Sequence, residues 1–162
     1  MSFEIRTFVE RDRETVVQLW HECDLVRPQN DPNRDIERKL AHGGDLFLVA
    51  VADGRIVGSV MGGYEGHRGW VNYLSVRPEL HGSGIGRTLM AELERRLSAL
   101  GCPKINLQIR ATNEAVVEFY RRIGFVRDDV ICMGRRLVDD AADASGPDAV
   151  ETAALADESR AG

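Results

Sequence analysis

Residues 77–90 read RPELHGSGIGRTLM, with glycine at every second position, Gly82, Gly84 and Gly86, and an apolar helical repeat directly after. Glycines so close together weaken any regular element that contains them, unless the bare backbone is put to use. Glycine admits unusual backbone angles and lets a ligand approach closely. A helix N-terminus offers free N–H groups and partial positive charge. Together they form an anion site, most often for phosphate. That use requires a strand, then the turn, then a helix. The strand is GWVNYLSVRP (69–78), ended by Pro78. The helix extends to about Leu100, with Leu89, Leu93, Leu97 and Leu100 at helical spacing and Gly101 as a natural stop.

Two nucleotide-binding motifs fit poorly. The P-loop needs Gly-Lys-Ser/Thr after four intervening residues, whereas Gly86 is followed by Arg87. The dinucleotide pattern G-x-G-x-x-G would need glycine at 87, and the chain ahead of the loop is a hairpin and meander, not the opening of a βαβ unit. A glycine turn without a ligand is the plain alternative.

The flanking sequence alternates between strand and helix signals. FEIRTF (3–8) reads as a strand. RDRETVVQLWHECDL follows as a helix with Asp12 as N-cap and Val16, Leu19, Trp20 and Cys23 on one face. NDP at 30–32 opens a second helix, capped by Asp31, with Pro32 in its first turn. LFLVAVADGRIVGSVMGGY holds two apolar runs about Asp53-Gly54, a strong hairpin signal. KINLQIR (104–110) predicts a strand, NEAVVEFYRRIG (113–124) a helix between Asn113 and Gly124, and VICMGRRL (130–137) the last strand, with a further short strand near 125–127 as an option. The order is βααβββαβαβ, a mixed α/β domain with hairpins and a crossover.

The 162 residues suit one domain with a real core. The net charge of −5 is set by the end of the chain, where residues 139–162 hold seven acids and one base, leaving 20 bases against 19 acids in 1–138. Nothing argues for a nucleic-acid surface. The end segment is rich in Ala, Asp, Ser and Gly without an aromatic residue, so a domain over 1–138 and a disordered tail over 139–162 are expected. No apolar run approaches the roughly 20 residues of a membrane span. The start, MSFEIRTF, lacks a signal pattern, so a cytoplasmic protein is expected. Cys23, Cys102 and Cys132 form no CxxC pair and the four histidines show no metal spacing, so reduced thiols and no metal are expected.

VRPELHGSGIGRTLMAELE resembles the acetyl-CoA motif of the GNAT N-acetyltransferases, R/Q-x-x-G-x-G/A, and ATNEAVVEFYRRIGF resembles their second signature, N-x-x-A-x-x-F-Y-x-x-x-G-F. The two stand in the family's order and at its usual separation, and the resemblance covers residues 3–137. It implies the GNAT fold, an α/β arrangement with a mixed central sheet, a splayed strand pair and flanking helices. It also implies an acetyl-CoA-dependent N-acetyltransferase acting on a primary amine of a small molecule, peptide or protein, by direct attack. DLVRPQNDPNRDIERKL and MGGYEGHRGWVNYLSV further resemble small bacterial members of unassigned substrate, some labelled by analogy with ribosomal-protein acetyltransferases. Those enzymes carry a glutamate in E-V-R-x-S-N, where this chain has Gln108.

By resemblance, the amides of Gly82, Ser83, Gly84, Ile85, Gly86 and Arg87 hold the CoA pyrophosphate, with His81 at the position of the usual Arg or Gln. Leu74 and Val76 offer main chain to the pantetheine arm beside a bulge, and the Leu74 N–H faces the thioester oxygen as an oxyanion donor. Both are equally ordinary core residues. Asn113 contacts the pantetheine region or simply caps its helix. Tyr120 gives a proton to the departing thiolate, its alternative being a half-buried aromatic beside Phe119. The family's frequent glutamate base falls at Trp70, which cannot serve.

Glu65 and His67 are the remaining base candidates, His67 by its intrinsic pKa, although each also suits a polar hairpin tip. Tyr64 and Tyr73 are expected to line the acceptor pocket. Arg27, Asn30 and Asp31 lie in the loop that covers the acceptor side in this fold. Arg27 there either binds a carboxylate or is solvated, while Asp31 caps a helix. The missing base leaves a non-catalytic acyl-CoA sensor as the alternative. VICMGRRL can pair across a dimer in this family, so a monomer or homodimer is expected.

Overall fold

The computed structural model describes residues 1–143. Residues 144–162, most of the segment expected to be disordered, lie outside the described residues. The elements are β1 (Glu4–Thr7), α1 (Arg13–Glu22), α2 (Pro32–Ala41), β2 (Phe47–Ala52), β3 (Arg55–Tyr64), β4 (Gly69–Val76), α3 (Ile85–Ala99), β5 (Ile105–Leu107), α4 (Glu114–Arg122) and a short α5 (Asp140–Asp143). The five strands form one sheet in chain order. β1 to β4 are antiparallel, and α3 carries the chain over to β5, which runs parallel to β4. A parallel neighbour requires such a crossover.

β2 explains the two-layered packing. Its sequence FLVAVA is apolar throughout, as befits a strand covered on both faces. Leu48, Ala50 and Ala52 turn toward Leu89, Leu93 and Leu97 of α3 and Tyr120 of α4. Phe47 and Val49 turn the other way, toward Val16, Leu19 and Trp20 of α1 and Ile36 of α2. The β2–β3 turn has Asp53 at φ 48° and Gly54 at φ 73°, the left-handed pair that a tight two-residue hairpin needs. Asp31 caps α2 as expected, its Oδ1 accepting from the Asn33 N–H at 2.8 Å with Pro32 in the first turn.

Three expectations change. Asp12 does not cap α1 with its side chain. It is 4% exposed, and its carboxylate accepts two bonds from Arg6 at 2.6 and 2.9 Å and one from the Val9 N–H at 2.9 Å. A guanidinium fork is a stronger partner than the helix amides. The expected strand over 130–137 is absent, as is the optional one near 125–127. Val130, Ile131, Met133 and Leu137 are 75–92% exposed. Alternation is only a propensity, and a strand needs a partner edge; β5 offers three paired residues. Finally, Asp140 is 5% exposed, although it falls beyond residue 138. Its Oδ2 accepts from the Asp31 N–H at 2.8 Å, and both oxygens accept from Arg38.

Candidate active site

The site begins with an irregularity in β4. Ser59 faces Ser75 and Met61 faces Asn72, so Val60 of β3 opposes two residues, Tyr73 and Leu74. This β-bulge reverses the facing of everything after it. Before it, Gly69 and Val71 turn toward the α3 side; after it, Leu74 and Val76 do so. Tyr73 stands at φ 52°. For a bulky residue this left-handed conformation costs about 1–3 kcal/mol and persists only where the surroundings impose it.

The bulge sits where β4 loses its second neighbour. β5 pairs with β4 only from Gly69 to Val71. From Asn72 onward no strand covers that edge among the described residues. The Arg77 N–H donates to the Val57 carbonyl at 2.9 Å, which makes 57/77 and, two residues back, 59/75 the bonded pairs of the β3–β4 ladder. Alternation then turns the Leu74 and Val76 peptide groups away from β3, into the gap beside β5. The Val76 carbonyl is engaged there by Cys23 Sγ at 3.3 Å and His81 Nε2 at 3.0 Å. The Leu74 and Val76 N–H groups remain as donors facing the gap.

The glycine loop closes one end of this gap. Gly84, at φ 89°, is the N-cap of α3, and no side chain caps that end. Gly82 stands at φ 81°. A Cβ at either glycine would meet nothing within 4 Å, so both are required by backbone angle and leave open space above the turn. The first intrahelical bond is from the Thr88 N–H to the Gly84 carbonyl at 3.0 Å. The amides of Ile85, Gly86 and Arg87 precede it and point out of the helix end. Ser83 is exposed, and its hydroxyl donates to the Leu80 carbonyl at 2.6 Å. At Gly86 a Cβ would lie 3.4 Å from the Phe119 ring and 3.6 Å from Val76, so α3, α4 and β4 converge there.

α4 supplies the titratable group. Asn113 accepts from the Val116 N–H at 3.3 Å and so caps the helix. About two turns on, Tyr120 is 6% exposed and packs edge-on against Phe119 and Phe125. Among the described residues its hydroxyl has no hydrogen-bond partner, yet no fully buried side-chain oxygen lacks one. The oxygen itself therefore reaches solvent while the ring is buried. Burial pushes the hydroxyl well above its ordinary pKa, so it is a neutral proton donor at physiological pH.

Tyr73 belongs to the opposite face. Its ring stacks on Trp20 at 3.9 Å between centroids, and its hydroxyl donates to Asp35 Oδ2 at 2.6 Å. Burial, then that bond, raises its pKa. Trp20 Nε1 donates to Ser59 Oγ at 2.9 Å, and Ser59 shares a 2.9 Å bond with Ser75. These partners were not foreseen from sequence. The signal available was the apolar spacing in VNYLSV, where Val71, Leu74 and Val76 break the period of two once.

The other candidates are scattered. Arg27, Asn30 and Asp31 line an open pocket of about 450 Å³ together with His21, Val26 and Asp140. Each has a partner within the protein: Arg27 pairs with Asp24 at 2.9 Å, Asn30 accepts from Arg136 at 3.0 Å, and Asp31 caps α2. Tyr64, Glu65 and His67 sit at the β3–β4 turn. Tyr64 donates to the Gly66 carbonyl at 3.1 Å. Glu65 accepts the Arg68 and His67 N–H groups, which lower its pKa. At the rise of a strand, Gly69 to Leu74 spans about 17 Å, so the fold does not bring this turn to the bulge. No His/Cys/Asp/Glu group suited to a metal occurs among the described residues, and none of their helices is long and apolar enough to cross a membrane.

Residues 13–125 match the model of the acetyltransferase (GNAT) family. An acetyltransferase of Pectobacterium atrosepticum is 53% identical over 137 residues, which cover 85% of this chain and 97% of that protein. One of Sodalis glossinidius is 52% identical over 138 residues, with the same coverage. Among solved structures, the PaiA N-acetyltransferase of Thermoplasma acidophilum in complex with coenzyme A superposes with TM-score 0.72 at 22% identity, over 81% of this chain and 94% of that one. Ard1 of Thermoplasma volcanium gives TM-score 0.71 at 20% identity, over 78% and 84%. At these identities the structures speak for the fold.

Proposed function

This chain belongs to the GNAT acetyltransferase family and is an acetyltransferase, and on that premise we propose that it moves acetyl from acetyl-CoA to an amine nitrogen by direct attack. One observation carries this reading: β4 parts from β5 beside a bulge, with the Leu74 amide turned into the gap and the uncapped start of α3 at its end. The residues present fit the cosubstrate. Gly82 and Gly84 leave room above a turn of outward-facing amides, suited to a pyrophosphate. The amides of Gly82 to Arg87 would hold the phosphates, the main chain of Leu74 and Val76 would align the pantetheine, and Asn113 would border it.

Bound acetyl-CoA would supply the acyl group as a thioester: the C–N bond forms as the C–S bond breaks, the attacking nitrogen loses its proton to water, and the sulfur leaves with a proton from Tyr120 that water restores. The Leu74 N–H is the donor aimed at where negative charge develops on oxygen, a role that typically contributes 10²–10³ in rate. Tyr120 is the hydroxyl placed to hand the sulfur a proton, and burial of its ring keeps it neutral. The gap confines both reactants to one orientation, which lowers the entropic barrier.

The test is release of free CoA thiol from acetyl-CoA, with amino acids, polyamines, aminoglycosides and peptides as acceptors and Tyr120→Phe as control. Turnover that the variant loses supports the reading and identifies the acceptor class. Acetyl-CoA that does not bind at all refutes the assignment of the glycine loop.

A further inference from the structure

The mechanism above uses the Leu74 amide but leaves unexplained what holds it in place. The residue before it, Tyr73, occupies a left-handed conformation that a bulky side chain does not adopt unaided. Glycine would occupy it freely. The side chain must therefore be fixed from outside, and two contacts do so. The ring lies flat on Trp20, 3.9 Å away with planes 11° apart. The hydroxyl donates to Asp35 Oδ2 at 2.6 Å.

Both partners are themselves tied down. Trp20 is fully buried in α1 and bonded to Ser59, which is bonded in turn to Ser75. Ser59 and Ser75 form the first regular pair after the bulge. One side chain from α1 thus grips the bulge and the ladder beyond it. Asp35 belongs to the first turn of α2 and also accepts from Arg38 at 3.1 Å. Tyr73 packs with the α1–α2 layer, whereas Leu74 packs with the α3–α4 layer. Consecutive residues are held from opposite sides of the sheet.

We propose that Tyr73 is a positioning residue: stacked on Trp20 and hydrogen-bonded to Asp35, it holds the β4 bulge and thereby aims the Leu74 N–H into the gap. The proposal rests on the reading of that gap as the acyl-transfer site. It makes α2, on the opposite face, a determinant of turnover with no contact of its own to acetyl-CoA. A donor that matters chiefly in the transition state changes kcat rather than KM when misaimed.

Three variants separate the contacts. Tyr73→Phe keeps the ring stack and loses the hydroxyl. Asp35→Ala removes the acceptor, and Asp35→Asn returns an acceptor oxygen without the charge. Two readouts apply to each: the backbone amide resonances of Tyr73 and Leu74 in nitrogen-15-labelled protein without ligand, and kcat and KM for acetyl-CoA with an acceptor from the panel. Tyr73→Phe and Asp35→Ala are expected to shift the Leu74 resonance and lower kcat about ten-fold, inside the 10²–10³ that loss of a whole oxyanion donor costs. KM for acetyl-CoA stays within about two-fold, and Asp35→Asn moves both readouts back toward wild type. An unmoved Leu74 resonance in both Tyr73→Phe and Asp35→Ala overturns the proposal, as does a raised KM with kcat intact. Wild-type protein that fails to bind acetyl-CoA sinks the functional reading instead, and the resonances then decide the role of Tyr73 alone.

Discussion

Replacing Gly58 with alanine tests the packing that brings the glycine loop to β4. A Cβ at this position in β3 would stand 2.9 Å from the Ser75 carbonyl oxygen, 3.0 Å from Ile85 Cγ2 and 3.0 Å from Leu89 Cδ1. The first atom is backbone, one residue past the bulge; the other two belong to the opening turns of α3. The carbonyl cannot yield without moving the backbone beside the bulge. Overpacking of this kind costs about 1–3 kcal/mol. For a chain of this size each kcal/mol shifts the unfolding midpoint by roughly 2–4 °C, so Gly58→Ala should lower Tm by about 6 °C. Because the added methyl presses Ile85 and Leu89 of α3 away from β3, the Kd for acetyl-CoA should rise as well. Gly63→Ala is the control: in the same strand its Cβ would meet nothing within 4 Å and its φ is not positive, so its effect should stay within about 0.5 kcal/mol. Scanning calorimetry and titration of both variants decide the matter. A wild-type Tm for Gly58→Ala, or an equal loss for Gly63→Ala, refutes the claim that this glycine sets the helix–sheet approach.

Tyr120→Phe should lower kcat by about 10²–10⁴, the range of a positioned general acid, with Tm unchanged since the hydroxyl has no partner within the described residues; steady-state kinetics with calorimetry reads both. Gly84→Ala places a side chain at φ 89°, a strain of about 1–3 kcal/mol, and should weaken acetyl-CoA binding in isothermal titration by distorting the amide turn. Asp140→Ala should lower Tm, because it strips the Asp31 N–H of its acceptor and leaves Arg38 with Asp35 alone of its two carboxylates. Hydrogen bonds from Arg38, then from the Asp31 N–H, hold the Asp140 carboxyl down to about 2. A depressed carboxyl stabilises the folded state above its unfolded pKa and loses that contribution as pH falls through the folded value. The Tm difference between wild type and Asp140→Ala should thus be full at neutral pH and shrink as pH falls from about 4 toward 2.

Much of the fold was legible because its signals are local. Asp53-Gly54 needs only its own backbone angles to make a turn, and Asp31-Pro32 carries both the cap and the first turn of α2. The glycine loop advertises itself by what its residues lack. Three features were hidden for the opposite reason. The bulge is one extra residue in an otherwise regular strand, visible only as a single break in the spacing of Val71, Leu74 and Val76. The partners of Tyr73 lie 38 residues away in Asp35 and farther still in Trp20. Asp140 reads as one more acid in an acidic segment, and its partner Asp31 is 109 residues distant. The strand expected at 130–137 failed in the reverse sense: the pattern was present, but pairing is a property of the neighbour, and β5 is too short to provide one.

The sheet divides the interior into two apolar compartments, one roofed by α3 and α4, the other floored by α1 and α2. Residues in one compartment can be exchanged without being felt in the other, except where β3 and β4 transmit the change through the bulge. On the proposed function the cradle for the coenzyme is built by β4, α3 and α4, so α1 and α2 are left to vary without touching it. Where the two compartments meet at the bulge, the links are few: Tyr73 on Trp20 and Asp35, and Trp20 on Ser59 and Ser75.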